Sequence, residues 1–149
     1  MTRREILQLS IAAIGILPAF PILGCNPTTS ANNEKVNENP NLIHLDLTTS
    51  SYAELSSVGG SVYAVIQSQN LSLIVTRVSG TEIDAVSSVC THAGCEVGLL
   101  ETSLGGMRCA CHNSMFRPDG SVIGGPASRP LQKYPVTFDG ETTVTIDIS

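Results

Sequence analysis

The feature that most constrains this chain is a concentration of cysteine and histidine within residues 90–116. Four of the five cysteines and two of the three histidines fall in this window. Two pairs have the spacing of metal ligands, Cys90-x-His92 and Cys109-x-x-His112. Two thiolates and two imidazoles suit either zinc or an iron–sulfur cluster. The window therefore predicts a metal centre built by two loops.

Two cysteines of the window lie outside those pairs. Cys95 and Cys111 occupy matching places in the two halves, so they could bridge to each other. A thiol–disulfide enzyme is disfavoured because the window contains no Cys-x-x-Cys motif.

Length and charge limit what surrounds this centre. The chain has 149 residues, which is enough for one domain and too short for two comfortable ones. It contains no tryptophan, so its core must be built mainly from valine, isoleucine and leucine. The net charge of −5 argues against nucleic acid as a partner, since such binding needs a basic face.

Residues 1–24 are typical of an export signal. Arg3 and Arg4 stand in a basic start, and an apolar run follows from Ile11 to Leu23. These are the two characteristic regions of a signal peptide. The paired arginines resemble the twin-arginine type, which exports folded proteins, so a cofactor could be inserted before export. The protein is therefore predicted to be exported and to face the periplasm or the cell exterior.

Cys25 is a predicted lipidation site. It ends Ile22-Leu23-Gly24-Cys25, which resembles the lipobox of bacterial lipoproteins. Setting Cys25 aside leaves an even four cysteines for the metal centre. The alternative is an uncleaved anchor, but a bilayer needs about 20 apolar residues, and Pro18 and Pro21 interrupt a run that is already short. Either interpretation attaches the protein to a membrane through its N-terminal segment.

Residues 25–41 are predicted to form a disordered linker, because they are rich in Asn, Thr, Glu and Pro and have little to bury. A folded domain is predicted over residues 42–149. Its pattern changes to period two and β-branched runs with polar turns between them, which predicts an all-β antiparallel sandwich or barrel. The expected strands are 42–47, 61–66 and 71–78, after which residues 83–89 lead into the cysteine–histidine window. A closing hairpin is expected over 134–148, with its turn at Asp139-Gly140. His44 stands alone on the first strand and is interpreted as facing solvent.

The two boxes of the window resemble one family specifically. Cys-Thr-His-x-Gly-Cys followed by Cys-x-Cys-His-x-Ser-x-Phe is similar to the Rieske iron–sulfur proteins, and residues 124–131, Gly-Gly-Pro-Ala-Ser-Arg-Pro-Leu, are similar to that family's proline-containing loop. The resemblance covers about residues 42–149. It implies a Rieske-type β-sandwich with a small cluster-binding subdomain at about 90–131.

The resemblance also implies roles for single residues. One iron of a [2Fe-2S] cluster would be bound by Cys90 and Cys109, and the other by His92 and His112. Cys95 and Cys111 would form a disulfide between the two loops. Ser114 would donate a hydrogen bond to a bridging sulfide, and Gly125, Pro126 and Ala127 would cover the cluster. A zinc site with the same four ligands is the alternative, but zinc gives no reason for the bridge, Ser114 or the proline loop.

Three positions depart from the family pattern. Ala93 replaces the usual leucine of quinol-oxidising members, and Asn113 stands where glycine is common. Phe116 aligns with a tyrosine whose hydroxyl bonds a ligand sulfur in high-potential members. Its loss predicts a reduction potential below the top of the range of about −150 to +300 mV for Rieske centres.

Three functional hypotheses follow from this resemblance. The first is a self-standing one-electron carrier on the outer side of the cytoplasmic membrane. The second is the Rieske subunit of a quinol–cytochrome c oxidoreductase, with a cytochrome b or c partner. The third is the small subunit of an arsenite-oxidase-like molybdenum enzyme. Ala93 favours the first over the second. The sequence leaves open whether the protein itself belongs to an enzyme, and whether the basic residues near the window steer a partner or only face solvent.

Overall fold

The computed structural model describes residues 39–149, and this part of the chain is built almost entirely of β-strands. Eleven strands and two short 3₁₀ helices lie within it. The strands are β1 Leu42–Asp46, β2 Ser61–Ile66, β3 Leu71–Arg77, β4 Ile83–Ser87, β5 Val97–Glu101, β6 Gly106–Cys109, β7 Met115–Phe116, β8 Val122–Gly124, β9 Lys133–Tyr134, β10 Val136–Phe138 and β11 Thr143–Asp147. The 3₁₀ helices are Ala53–Ser56 and Gln67–Gln69.

The strands form three antiparallel sheets. The first has the order β1-β11-β10, the second β2-β3-β4-β9 and the third β5-β6-β7-β8. The first two sheets are completed by strands from both ends of the domain, whereas the third is continuous in sequence. The predicted all-β antiparallel sandwich is therefore confirmed, and the third sheet, which spans residues 97–124, lies within the small subdomain predicted at about 90–131.

The second sheet is covered on both faces. Along β3, Leu73 and Val75 belong to one apolar cluster, while Ile74 between them belongs to another. β4 divides in the same way, with Ala85 in the first cluster and Val86 in the second. Because successive side chains of a strand point to opposite faces, a central strand between two cores is buried along its whole length. This explains why every residue of β4 is buried.

The two apolar cores lie at different places in the fold and contain different residues. The first lies between the first two sheets, where residues such as Leu45, Val62 and Ile146 pack together. The second lies between the second sheet and the subdomain and contains Met107 and Phe116, both fully buried. Both cores lack tryptophan, as the composition requires.

The predicted hairpins are confirmed. β2 and β3 pair in register from Ser61↔Thr76 to Ile66↔Leu71, with the 3₁₀ turn and Asn70 between them. The closing hairpin pairs β10 with β11 and turns at Asp139-Gly140, where Gly140 has a φ of 89°. His44 is exposed on β1, as predicted, and its Nδ1 lies 2.9 Å from the Thr145 hydroxyl.

The predictions of an export signal, of lipidation at Cys25 and of most of the linker fall outside the described residues. The last linker residues, 39–41, are described: the Leu42 amide donates to the Asn39 carbonyl, and the Ile148 amide donates to the Asn41 carbonyl. Within residues 39–149 we find no helix with the length and apolarity needed to cross a membrane.

Candidate metal centre

The two cysteine–histidine loops are built by the same hydrogen bonds. In the first loop the Gly94 amide donates to the Cys90 carbonyl at 2.9 Å, and the Cys90 amide donates to the Cys95 carbonyl at 2.8 Å. In the second loop the Asn113 amide donates to the Cys109 carbonyl at 2.9 Å, and the Cys109 amide donates to the Ser114 carbonyl at 2.9 Å. Each loop therefore closes on its own first cysteine, which fixes the position of the histidine that follows.

Both loops need one left-handed residue at the same place. Gly94 has a φ of 76° and Asn113 a φ of 59°. Glycine adopts this conformation without steric cost, and asparagine is among the few other residues that visit it. The replacement of the family's common glycine by Asn113 is thus compatible with the same turn. Its amide oxygen also accepts a hydrogen bond from the exposed Arg108 at 3.4 Å.

The thiols and the imidazoles of the predicted ligand set lie in opposite environments. Cys90 and Cys109 are free thiols that are only 3% and 1% exposed, and both belong to the second core. His92 and His112 are exposed, and their ring centroids lie 4.8 Å apart in an edge-to-face arrangement. The structure thus brings the two histidines together at the surface and holds both thiols on the protein side.

The two loops are joined covalently. Cys95 and Cys111 form a disulfide with a Cα–Cα distance of 6.5 Å, which confirms the predicted bridge. The sulfurs of Cys95, Cys111 and Cys109 all lie within 4.8 Å of one another. Two of these three sulfurs are bonded in the bridge, so the close trio is not the predicted ligand set, with which it shares only Cys109.

The proline-containing loop packs against the second cysteine–histidine loop. The Ala127 amide donates to the Ser114 hydroxyl at 3.1 Å, and both residues are buried. A hydroxyl that accepts one hydrogen bond keeps its own proton to donate. Gly125 has a φ of 92°, and a Cβ there would lie 2.6 Å from the Asn113 carbonyl oxygen. Only glycine satisfies both the backbone angle and this close approach.

Two further contacts hold the site, and sequence reasoning missed both. The Thr91 hydroxyl donates to the Arg129 carbonyl at 2.6 Å and so joins the first loop to the end of the proline loop. The Tyr63 hydroxyl on β2 donates to the Val97 carbonyl on β5 at 2.8 Å. Burial raises the pKa of Tyr63, and the negative charge of Glu96 raises it further. Thr91 stands inside the first box and could have been noticed there, whereas no local signal marks Tyr63.

The donor set suits a [2Fe-2S] cluster of mixed ligation. Two buried thiols and two adjacent imidazoles are the donors that such a cluster takes on its two irons. The buried Ser114 hydroxyl and the disulfide have no counterpart in a minimal four-ligand zinc site. The assignment of single residues to single irons stays a prediction.

Comparison with known proteins bears on this interpretation. A family model described as the Rieske [2Fe-2S] domain matches residues 50–135. The cytochrome b6-f complex iron-sulfur subunit of Chlorobaculum tepidum is 29% identical over 97% of this chain and 75% of its own length. The cytochrome bc1 complex Rieske iron-sulfur subunit of Corynebacterium efficiens is 38% identical over 42% of this chain, a segment that spans only 16% of that subunit.

A solved structure has the same fold. The crystal structure of the cyanobacterial plasma membrane Rieske protein PetC3 from Synechocystis PCC 6803 superposes with a TM-score of 0.55 at 26% identity. The match covers 69% of this chain and 97% of that one. Since the family model covers more than half of the 149 residues and contains both cysteine–histidine loops, this chain belongs to the Rieske [2Fe-2S] domain family and is an iron–sulfur electron-transfer protein with a cluster-binding site.

Proposed function

We propose that this protein is an exported one-electron carrier, tethered to the outer side of the cytoplasmic membrane. One iron of its cluster is bound by Cys90 and Cys109 and the other by His92 and His112. The observation that carries the assignment is the division of the four side chains, with two buried free thiols and two exposed imidazoles 4.8 Å apart.

The residues of the site have different roles in electron transfer. When bound, a [2Fe-2S] cluster takes up one electron and gives it back. Cys90 and Cys109 hold it from the apolar side, where the second core excludes water. His92 and His112 form the face that a redox partner can touch, because both are exposed. Ser114 is held by Ala127, so its hydroxyl proton is free to be donated into the site.

The ligand set is tested by metal analysis and electron paramagnetic resonance of the purified full chain. We expect about two irons per chain and a Rieske-type signal after reduction. Replacing His92 or His112 by serine should remove that signal and most of the iron. His44→Ser is the matched control, since His44 is exposed on β1 and pairs with Thr145. Zinc in place of iron, a signal of all-cysteine ligation, or equal loss in the His44 variant would refute the assignment.

The location is tested separately by fractionating cells that express the full chain. Export through a twin-arginine signal predicts that changing Arg3 and Arg4 to lysine retains the protein in the cytoplasm. Lipidation predicts that Cys25→Ala blocks incorporation of a labelled fatty acid and releases the exported protein from the membrane. An exported Cys25→Ala protein that stays in the membrane would favour the uncleaved anchor.

The second candidate function is a Rieske subunit of a quinol–cytochrome c oxidoreductase. It is favoured by the similarity over 97% of this chain to a subunit named for a cytochrome b6-f complex. Ala93, which replaces the leucine common in quinol-oxidising members, favours the self-standing carrier instead. Purification from mild detergent separates the hypotheses: a cytochrome b in stoichiometric amount supports the second, a molybdenum subunit supports the third, and a chain without either supports the first.

A further inference from the structure

Besides the bridge itself, the cluster site contains a third sulfur close to the disulfide. The sulfur of Cys109 lies within 4.8 Å of those of both Cys95 and Cys111. Cys109 is a free thiol and only 1% exposed, whereas Cys111 is exposed and Cys95 is partly buried. A buried free thiol is thus held next to a disulfide, one of whose two cysteines is exposed.

Such a trio can rearrange without any oxidant. In thiol–disulfide exchange a thiolate attacks one sulfur of a disulfide, one S–S bond forms, another breaks, and the expelled sulfur leaves as a thiolate. Attack by Cys109 on Cys95 expels Cys111, and attack on Cys111 expels Cys95. The proton lost by Cys109 returns to the expelled sulfur through solvent. The number of disulfides and of free thiols is unchanged.

We propose that Cys109 exchanges with the Cys95–Cys111 disulfide whenever no cluster holds its sulfur, so that the cluster protects the pairing of the bridge. This inference rests on the proposed ligand role of Cys109. Iron bound to Cys109 occupies the sulfur that would attack. In the unloaded protein the attack is intramolecular, and holding the reacting groups together speeds such steps greatly.

The consequence is an order of assembly. Either product places Cys109 in a disulfide and leaves the site with one ligand thiol, Cys90, beside its two imidazoles. A chain whose bridge forms before the cluster is loaded therefore becomes unable to accept the cluster until a thiol reductant restores the pairing. Loading before the bridge forms avoids this trap, which agrees with the proposed export of a folded and already loaded protein.

The test uses the full chain, from which a chelator has removed iron under nitrogen without added thiol. Samples are acid-quenched at intervals and unfolded, and free thiols are labelled with a first maleimide. The disulfide is then reduced and its sulfurs are labelled with a second maleimide. Trypsin cuts after Arg108, which places Cys95 on one peptide and Cys109 with Cys111 on the next. Fragmentation of the second peptide then distinguishes its two cysteines.

In the unloaded wild type, the first label should move from Cys109 to Cys95 or Cys111 over about minutes to hours, the usual range of uncatalysed disulfide rearrangement. The rate should not change with protein concentration, which excludes exchange with Cys25 of another chain. The fraction that can be reloaded with iron and sulfide should fall in parallel and recover after treatment with a thiol reductant. In the loaded protein the bridge should stay on Cys95 and Cys111.

The variants separate Cys109 from the other ligand thiol. Cys109→Ser and Cys109→Ala should both keep the original bridge, whereas Cys90→Ser should exchange as fast as the unloaded wild type. The proposal would be overturned if Cys109 stayed free equally long in the loaded and the unloaded protein. It would also be overturned if Cys90→Ser kept the original bridge as well as the Cys109 variants do. If the protein never binds iron, the proposed function fails, and the label positions still report whether exchange occurs.

Discussion

At Gly125 the proline loop packs tightly against the backbone of the second cysteine–histidine loop. Its φ of 92° is unfavourable for any residue with a side chain, and an added Cβ would lie 2.6 Å from both the Asn113 carbonyl oxygen and the Ser114 Cα. Both contacts are backbone atoms, which cannot turn away as a flexible side chain can. The position therefore couples the covering loop to the loop that carries His112.

We expect Gly125→Ala to destabilise the protein by roughly 2–5 kcal/mol, from about 1–2 for the left-handed backbone and about 1–3 for overpacking. Gly124→Ala is the matched control, because nothing lies within 4 Å of a Cβ there. Denaturant unfolding and iron content measure both effects. Equal stability of the two variants would show that the loops do not need this close approach.

Phe116 is fully buried in the second core together with Cys90 and Cys109. The family resemblance places a tyrosine here in high-potential members, so Phe116→Tyr should restore a hydrogen bond to a ligand sulfur. A bond worth about 1 kcal/mol more in the reduced state would raise a one-electron potential by roughly 40 mV. Electrochemical titration of both proteins measures the change. An unchanged potential with lower stability would mean that the hydroxyl does not reach the sulfur.

Residue by residue, the sequence was a good guide where the chemistry is local. The pair Cys90 and His92 is separated by one residue, so spacing alone predicted a shared loop. The need for a left-handed residue at Asn113 was not visible, because asparagine is also common in ordinary turns. The requirement appears only when the equivalent hydrogen bonds of the first loop, at Gly94, are seen beside it.

At the scale of elements, β2 connects the framework to the cluster-binding sheet. Tyr63 packs against the second core and donates its hydroxyl to the Val97 carbonyl of β5. Tyr63 and Val97 are 34 residues apart in sequence, so the bond links two sheets built from different segments of the chain.

We expect Tyr63→Phe to cost about 1 kcal/mol of stability, the usual net value of a hydrogen bond. The variant also tests the raised pKa of Tyr63. A group whose pKa is higher in the folded state stabilises the protein below its ordinary pKa of 10.0, and that contribution is lost as the pH rises through the folded value.

The stability of the wild type should therefore fall above about pH 10. The stability of Tyr63→Phe should fall less steeply with rising pH, because this variant has no phenol to ionise at position 63. Thermal unfolding measured from about pH 8 to about pH 11, a range that brackets the ordinary tyrosine pKa, gives the pH dependence of stability for both proteins. Parallel slopes would show that Tyr63 does not set the alkaline limit.

For the molecule as a whole, the expected response to acid depends on three aspartates whose side chains accept hydrogen bonds from the residues that follow them. The pKa of Asp46 is lowered by the hydrogen bond from the Thr48 side chain, and that of Asp119 by the bond from the Ser121 side chain. The pKa of Asp139 is lowered first by the Thr143 amide. Each contribution to stability is present above the ordinary pKa of 3.8 and is lost as the pH falls through the lower folded value.

The melting temperature should therefore change little from about pH 7 to pH 5 and fall below about pH 4. Asp139→Asn keeps an acceptor oxygen but cannot titrate at this position. Its melting temperature should therefore fall less steeply with acid than that of the wild type. Asp139→Ala should be less stable at neutral pH as well, because the Glu141, Thr142 and Thr143 amides lose their acceptor. Identical acid slopes in the wild type and the asparagine variant would contradict this account.

By itself the sequence determined the all-β class, the main hairpins and the pairing of Cys95 with Cys111, and it predicted the ligands of the cluster. Strand alternation, turn residues and ligand spacing all act within a few residues, so a linear pattern records them. Only the tertiary structure decided that β3 and β4 separate two cores, because alternation cannot tell whether the second face of a strand is covered. It also decided the burial of the two thiols, the meeting of the two imidazoles and the need for Gly125. These depend on contacts between loops that are distant in sequence, whose geometry is set only when the whole domain packs.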